Sequence, residues 1–269
     1  MTVQNSLVPA LDRALNILEY LASRQEAVTL KEISRDLGIP SASAFRLMKN
    51  LCARGYATEQ TGGQTAYLLG YKLLHLASVH QRNFSVPAVA KPFLVRLANQ
   101  LQQTVQLALL QNGSVLYVDQ VFSSAPISIV APLYTPLAVN TSASAKILLS
   151  FLPPQEQLAI IRRSALTAST PRTLVEEEAL LEEITKSGLQ GYGFDNEEFA
   201  LGIGCMAVPI PAPSLGCAAA VGITGSIQSY RDCARFREML AALRQTAAEV
   251  ASAIKNGGAP ASSSGAPHS

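Results

Sequence analysis

Gly38-Ile39-Pro40 joins two short runs of helical periodicity through a tight break. Before the break, Thr29-Leu30-Lys31-Glu32 has the form of a capping box. In such a box the hydroxyl and the carboxylate each satisfy a backbone N–H at a helix start. Gly38 is the residue type that most readily takes the left-handed conformation ending a helix. Beyond the proline, Ser41 can cap a further helix that runs to Arg54 and stops at Gly55. Leu30, Ile33 and Leu37 then face Ala44, Leu47 and Leu51 across one apolar seam. The pattern is that of a helix-turn-helix.

What surrounds the pair extends the motif. Upstream, Leu11, Ala14, Leu15, Leu18, Leu21 and Ala22 recur at helical spacing within Pro9 to Ser23. Downstream, Tyr56 to Gln60 and Thr65 to Leu69 are alternating runs around Thr61-Gly62-Gly63-Gln64, which reads as a hairpin wing. Tyr71 to His80 is then a linker helix and dimer contact, carrying Leu73, Leu74 and Leu76.

A second domain opens with an amphipathic helix at Val86 to Gln102. Strand-like runs follow at Thr104 to Gln111, Val115 to Phe122, Pro126 to Val130, Gly204 to Ile210 and Gly216 to Thr224. Helical runs lie at about Ser142 to Phe151, Gln155 to Arg163, Val175 to Ser187 and Tyr230 to Lys255. Strands interleaved with helices predict an α+β fold around one antiparallel sheet. The expected layout is a winged helix-turn-helix over 8–70, a linker helix over 71–83 and the second domain over 84–255. A small, polar tail over 256–269 is expected to be disordered.

Composition sets limits rather than a function. Apolar residues make up 48% of the 269 and charged residues 15%, which suits packed globular domains. No stretch approaches the roughly 18 apolar residues of a membrane-spanning helix. The N-terminus lacks a secretory signal pattern, so the expected location is the cytoplasm. Cys52, Cys205, Cys217 and Cys233 are scattered without a metal-ligand spacing, and His75, His80 and His268 are equally isolated. No metal, cofactor or catalytic group is expected.

A net charge of +2 does not establish nucleic-acid binding, so that argument rests on where the charge lies. The third helix carries Arg46, Lys49 and Arg54 and no acidic residue. Ser41 and Ser43 at its start can donate to phosphates or base edges, and Arg46, one turn on, can reach guanine or phosphate. Thr29 joins them as a candidate contact to double-stranded DNA. A lone helix with these charges would read as a solvated surface; the turn, wing and linker shift the balance.

Several segments, in order and spacing, resemble the IclR family of transcriptional regulators. They are Arg13-Ala14-Leu15-Asn16-Ile17-Leu18-Glu19, Thr29-Leu30-Lys31-Glu32-Ile33, Leu37-Gly38-Ile39-Pro40, Arg46-Leu47 and Tyr67-Leu68-Leu69-Gly70. The likeness continues through Ala88 to Leu94, Val115 to Asp119, Gly191 to Glu198 and Gly202 to Ile210. Family members commonly place a basic residue and Ser-Thr after the proline, where this chain has Ser41-Ala42-Ser43. Phe45 stands where a polar side chain or histidine is often found; its ring either packs against the scaffold or touches a thymine methyl, and packing is the expected role.

The resemblance implies a GAF-like α+β effector-binding domain, a homodimer or homotetramer, and operator binding modulated by a small carboxylate-bearing metabolite. It places Ala143 and Ser144 at a helix start facing the effector, with Asp195, Cys205 and Thr224 as polar contacts. Ile129, Leu137 and Ile203 would form the apolar wall. Gly222 stands where a serine is often found, which implies a ligand bulkier or less polar than the smallest oxoacids. Taken alone, Thr224 and Ser144 read as residues that cap or pair with the backbone, Cys205 as a buried small hydrophobe and Asp195, beside Glu197 and Glu198, as a solvated loop carboxylate. The rival functions are an enzyme using Cys205 or Asp195 and a winged-helix module that binds proteins.

Overall fold

The computed structural model describes residues 8–24, 26–60, 64–83, 86–123, 129–212 and 218–256. The chain divides into two compact units, Met1–Phe84 and Ser85–Ser269. The expected tail lies outside the described residues except for Asn256.

In the first unit, α1 (Pro9–Ala22) has its proline in the first turn, where a missing N–H costs nothing. It buries Ile17 and Leu21, while Leu11 and Leu15 remain about half exposed. The apolar stripe expected from the sequence is thus wider than the face the core uses. After β1 (Val28–Thr29), α2 (Leu30–Leu37) starts with the expected capping box. Thr29 Oγ1 accepts the Glu32 N–H at 3.3 Å and Glu32 Oε2 accepts the Thr29 N–H at 2.8 Å. Gly38 ends the helix at φ +61°.

Helix α3 (Ser41–Ala53) begins one residue earlier than a serine cap would place it. The Pro40 carbonyl accepts the N–H groups of Ser43 and Ala44, so Pro40 holds the cap position and Ser41 lies inside the first turn. Strands β2 (Ala57–Gln60) and β3 (Ala66–Leu69) pair antiparallel as the wing. Of their expected turn, 61–63 lie outside the described residues. The wing has a third strand that the sequence reading lacked: β1 pairs with β3, Val28 opposite Tyr67. Ile17, Ile33, Ala44, Met48 and Tyr67 form the core beneath it. At Gly70 an added Cβ would lie 2.1 Å from the Gly55 carbonyl oxygen, so only glycine lets the wing's exit pass the end of α3. Helix α4 (Lys72–Asn83) follows.

In the second unit, α5 (Val86–Leu101) leads into β4 (Thr104–Gln111) and β5 (Ser114–Val121). Their connection, Asn112-Gly113, has positive φ at both residues, as a two-residue hairpin turn demands. Three helices follow: α6 (Ala143–Leu149), α7 (Pro154–Arg163) and α8 (Glu177–Gln190). Then come β6 (Gly193–Asn196), β7 (Ile203–Ile210), β8 (Ala218–Ser226), α9 (Ile227–Arg231) and α10 (Cys233–Lys255). The five strands form one antiparallel sheet in the order β5-β4-β8-β7-β6.

Three expectations change. In the strand expected at Pro126 to Val130, 126–128 lie outside the described residues, and Ile129 and Val130 are not in a strand. The helix expected over Tyr230 to Lys255 is broken at Asp232, whose carboxylate accepts the N–H groups of Ala234 and Arg235 and starts α10 afresh. The edge strand β6 was not foreseen, because Gly193–Asn196 is short and half polar.

Helix α6 crosses one face of the sheet, and α5, α9 and α10 pack on the other. Directly opposed residues share a face, so Gly193, Ala207 and Gly222 form a row of minimal side chains under α6. A Cβ at Gly193 would sit 2.0 Å from the Ala143 carbonyl oxygen. The row lets the start of α6 rest almost on the strand backbones.

Candidate functional sites

On α3, Ala42, Phe45, Arg46, Lys49 and Asn50 are exposed, while Ala44, Met48 and Leu51 enter the core. Burial of one side thereby turns the basic side chains outward. Helices α2 and α3 and the wing border an open groove of about 660 Å³, to which Lys31, Arg35, Ser41, Phe45 and Lys49 contribute.

The expected DNA-contacting residues fare differently there. Arg46 enters no ion pair among the described residues. Lys49 Nζ donates to Glu59 Oε1 of the wing at 3.0 Å, and the carboxylate raises the lysine above its usual range. Lys49 therefore ties α3 to β2. Ser41 Oγ lies 3.1 Å from Ser34 Oγ, and Ser43 is half-buried. Arg54 is exposed at the far end of α3, which at 13 residues spans roughly 20 Å. The Thr29 hydroxyl is committed to the α2 cap, accepting the Glu32 N–H and donating to Glu32 Oε2 at 2.7 Å. Phe45, expected to pack, is instead 47% exposed, with Lys49 Nζ 5.7 Å from its ring centroid.

The second unit holds a cavity of about 220 Å³ on the α6 face of the sheet. Tyr117, Ile129, Leu137 and Phe199 contribute its apolar wall, and Gln106, Thr141, Ser142, Cys205 and Thr224 its polar part. The strands bring the polar groups together: Cys205 opposes Thr224 across β7 and β8, and Gln106 lies beside Gly222. Thr224 Oγ1 is 3.3 Å from both Cys205 Sγ and Gln106 Oε1. Burial pushes the Cys205 thiol well up, so it is protonated and unsuited to nucleophilic attack.

Of the expected effector contacts, Ile129, Leu137, Cys205 and Thr224 thus border one cavity. Ala143 and Ser144 do not; the residues just before them, Thr141 and Ser142, do. Ser144 is buried, and its hydroxyl and that of Ser142 oppose the upward push of burial on the Tyr117 phenol. Gly222 lies under Ser144, where an added Cβ would be 3.2 Å from Ser144 Oγ; its small size makes room for α6 rather than for the cavity. Ile203 sits at the start of β7, outside the lining.

Asp195 lies behind the cavity, opposite Cys205 on the neighbouring strand. Its Oδ1 accepts the N–H groups of Glu198 and Phe199 at 2.6 and 3.3 Å, while Oδ2 is buried and has no hydrogen-bond donor within reach among the described residues. Burial raises this carboxyl. Next to it, Lys146 of α6 donates to both oxygens of Glu198 and to the Phe194 carbonyl. Sequence reasoning gave Lys146, Glu198, Gln106 and Tyr117 no role. A lone lysine inside the apolar run Ala143 to Phe151 was the one available signal for the buried pair.

A winged helix-turn-helix joined in one chain to a cavity-bearing α+β unit defines a transcriptional regulator with a ligand-binding domain. The IclR helix-turn-helix domain model matches residues 10–61, and the bacterial transcriptional regulator IclR C-terminal model matches residues 78–252. The chain belongs to the IclR family. The transcriptional repressor AllR of Salmonella typhi is 30% identical over 247 residues, 91% of this chain and 89% of that protein. Its counterpart in Escherichia coli K12 is 29% identical over 91% and 90%. The IclR structure from Thermotoga maritima superposes with TM-score 0.70 at 27% identity, covering 91% of this chain and 98% of that one. An IclR homolog from Microbacterium hydrocarbonoxydans, complexed with 4-hydroxybenzoate, shares the fold at TM-score 0.78, 23% identity and 92% and 99% coverage.

Proposed function

We propose that this regulator holds an organic acid with an apolar, ring-sized body in the cavity of its second unit, and that occupancy changes its grip on an operator. The observation that carries this is the convergence of Gln106, Cys205 and Thr224 in a cavity whose remaining lining, apart from Thr141 and Ser142, is apolar or aromatic. Cavities of about 150 Å³ accommodate benzene, so 220 Å³ suits a ring bearing a small polar group better than a two-carbon oxoacid. No Lys, Arg or His borders the cavity among the described residues, so the acid group would rely on neutral donors, with Thr141 and Ser142 nearest the start of α6. The 4-hydroxybenzoate held by the Microbacterium homolog is a ligand of that kind.

Arg46 is the principal candidate for base or phosphate contact, supported by Ser41 and Ser43 at the same end of α3, with Arg54 toward the backbone. A homodimer or homotetramer in the cytoplasm would present two such helices to paired half-sites. Effector binding would then favour one arrangement of the pair over another. The protonated Cys205 supports a contact role rather than catalysis.

A thermal-shift panel of benzoate-type acids, glyoxylate and pyruvate tests the cavity reading, since a ligand that binds only the folded state raises its stability. Ring acids should shift the melting temperature and alter operator affinity in a mobility-shift assay. A response confined to glyoxylate and pyruvate would overturn it.

A further inference from the structure

We infer that Phe45 reads DNA sequence, its ring meeting a thymine 5-methyl group in the major groove of the operator. The inference rests on α3 being the recognition helix. Phe45 is a large apolar side chain left 47% exposed on the same stripe as Ala42, Arg46 and Lys49. It lines the groove bounded by α2, α3 and the wing. On α3 the stripe carries Arg46 and Lys49 and no carboxylate; Glu59 of the wing, which lines the same groove, offsets Lys49, so attraction to a polyanion rests on Arg46 with Lys31 and Arg35 of α2.

The ring is also held in position. Lys49 Nζ stands 5.7 Å from its centroid and is itself fixed by Glu59 of β2. A cation over an aromatic face is attracted by the ring quadrupole, so the wing, through Lys49, helps orient Phe45. Ala42, one turn earlier, extends the apolar surface with a methyl group. In the major groove the thymine methyl is the apolar mark that separates one base from the others. A phenyl ring offers no hydrogen bond to the donors and acceptors of other bases and would strip them of water, which adds discrimination.

The test uses the full chain and begins with selection of duplexes from a random pool. Each thymine of the selected sequence is then replaced by deoxyuridine, which lacks only the methyl group, and affinity is read by fluorescence anisotropy at one salt concentration. At one thymine per half-site the wild type should lose about fourfold in affinity, the factor for one buried methyl group. Phe45→Ala should bind the thymine and uracil duplexes equally well. Phe45→Leu, which keeps an apolar side chain, decides the matter if the alanine variant fails to fold: its uracil penalty should shrink. A wild type indifferent to every uracil, or a full penalty retained in either variant, overturns the assignment of Phe45 alone. A pool showing no enrichment overturns the recognition-helix reading and Phe45 with it.

Discussion

Lys146 Nζ lies 2.7 and 2.5 Å from the two carboxylate oxygens of Glu198, and the lysine is fully enclosed. The pair ties α6, which covers the sheet, to the loop after β6, whose Phe199 borders the cavity. Asp195 adds a second carboxyl, so Lys146 faces two acids within one buried cluster.

Removing Lys146 leaves the buried Glu198 and Asp195 carboxyls without their cation, so each must take up a proton or stay charged away from water. Lys146→Met should therefore lower the stability of the second unit by about 3–5 kcal/mol. The double variant Lys146→Met/Glu198→Gln should recover most of that loss. Urea denaturation checks both, and equal losses in single and double variants would count against a charge-based role.

The pair also sets a pH dependence. Burial raises the Glu198 carboxyl from an ordinary 4.5 to about 7. Between those values the folded chain retains a proton that the unfolded chain has released. The Glu198 contribution is thus fullest below pH 4.5 and is lost as pH rises through 7. Denaturation of wild type and Glu198→Gln across this range should show the wild type's relative stability falling with pH; a rise would contradict the assignment.

Arg46→Ala should weaken operator binding by about 1–3 kcal/mol if the guanidinium reads a base. Its effector affinity, measured by calorimetry with a ring acid, should stay at the wild-type level. Cys205→Leu should do the reverse, filling the cavity while leaving operator binding without effector unchanged. Parallel loss of both activities in either variant would refute this division of labour.

Gly193→Ala places a methyl group where the Ala143 carbonyl oxygen already stands. The resulting shift of α6 should cost about 1–3 kcal/mol or more. Thermal unfolding and the ring-acid affinity should both decline, because Thr141 and Ser142 at the cavity lie next to the displaced helix start.

Much of the first unit was legible because its determinants are local. The Thr29–Glu32 box, the left-handed Gly38 and the turn at Gly55 lie within a few residues of what they control. Strand β1 was not legible: two residues carry no periodicity, and only pairing with Tyr67 and Ala66 makes Val28–Thr29 a strand. Phe45 shows the same limit, since spacing does not reveal whether an aromatic side chain finds neighbours.

In the second unit the family resemblance grouped Cys205 and Thr224 with Ile129 and Leu137, but nothing in the chain itself added Gln106 or showed how these groups meet. Cys205, Thr224 and Gln106 are far apart in sequence, and sheet register makes them neighbours. The same register puts Gly222 under Ser144 and leaves Asp195 behind the cavity. The sequence by itself determined the capping box of α2, the main alternating strands, the helix-turn-helix and the family. Tertiary structure alone decided which polar groups of the second unit meet. It also decided which lysine is buried and which aromatic ring remains exposed. Capping and periodicity act over a few residues, whereas burial and pairing depend on chain segments that only folding brings together.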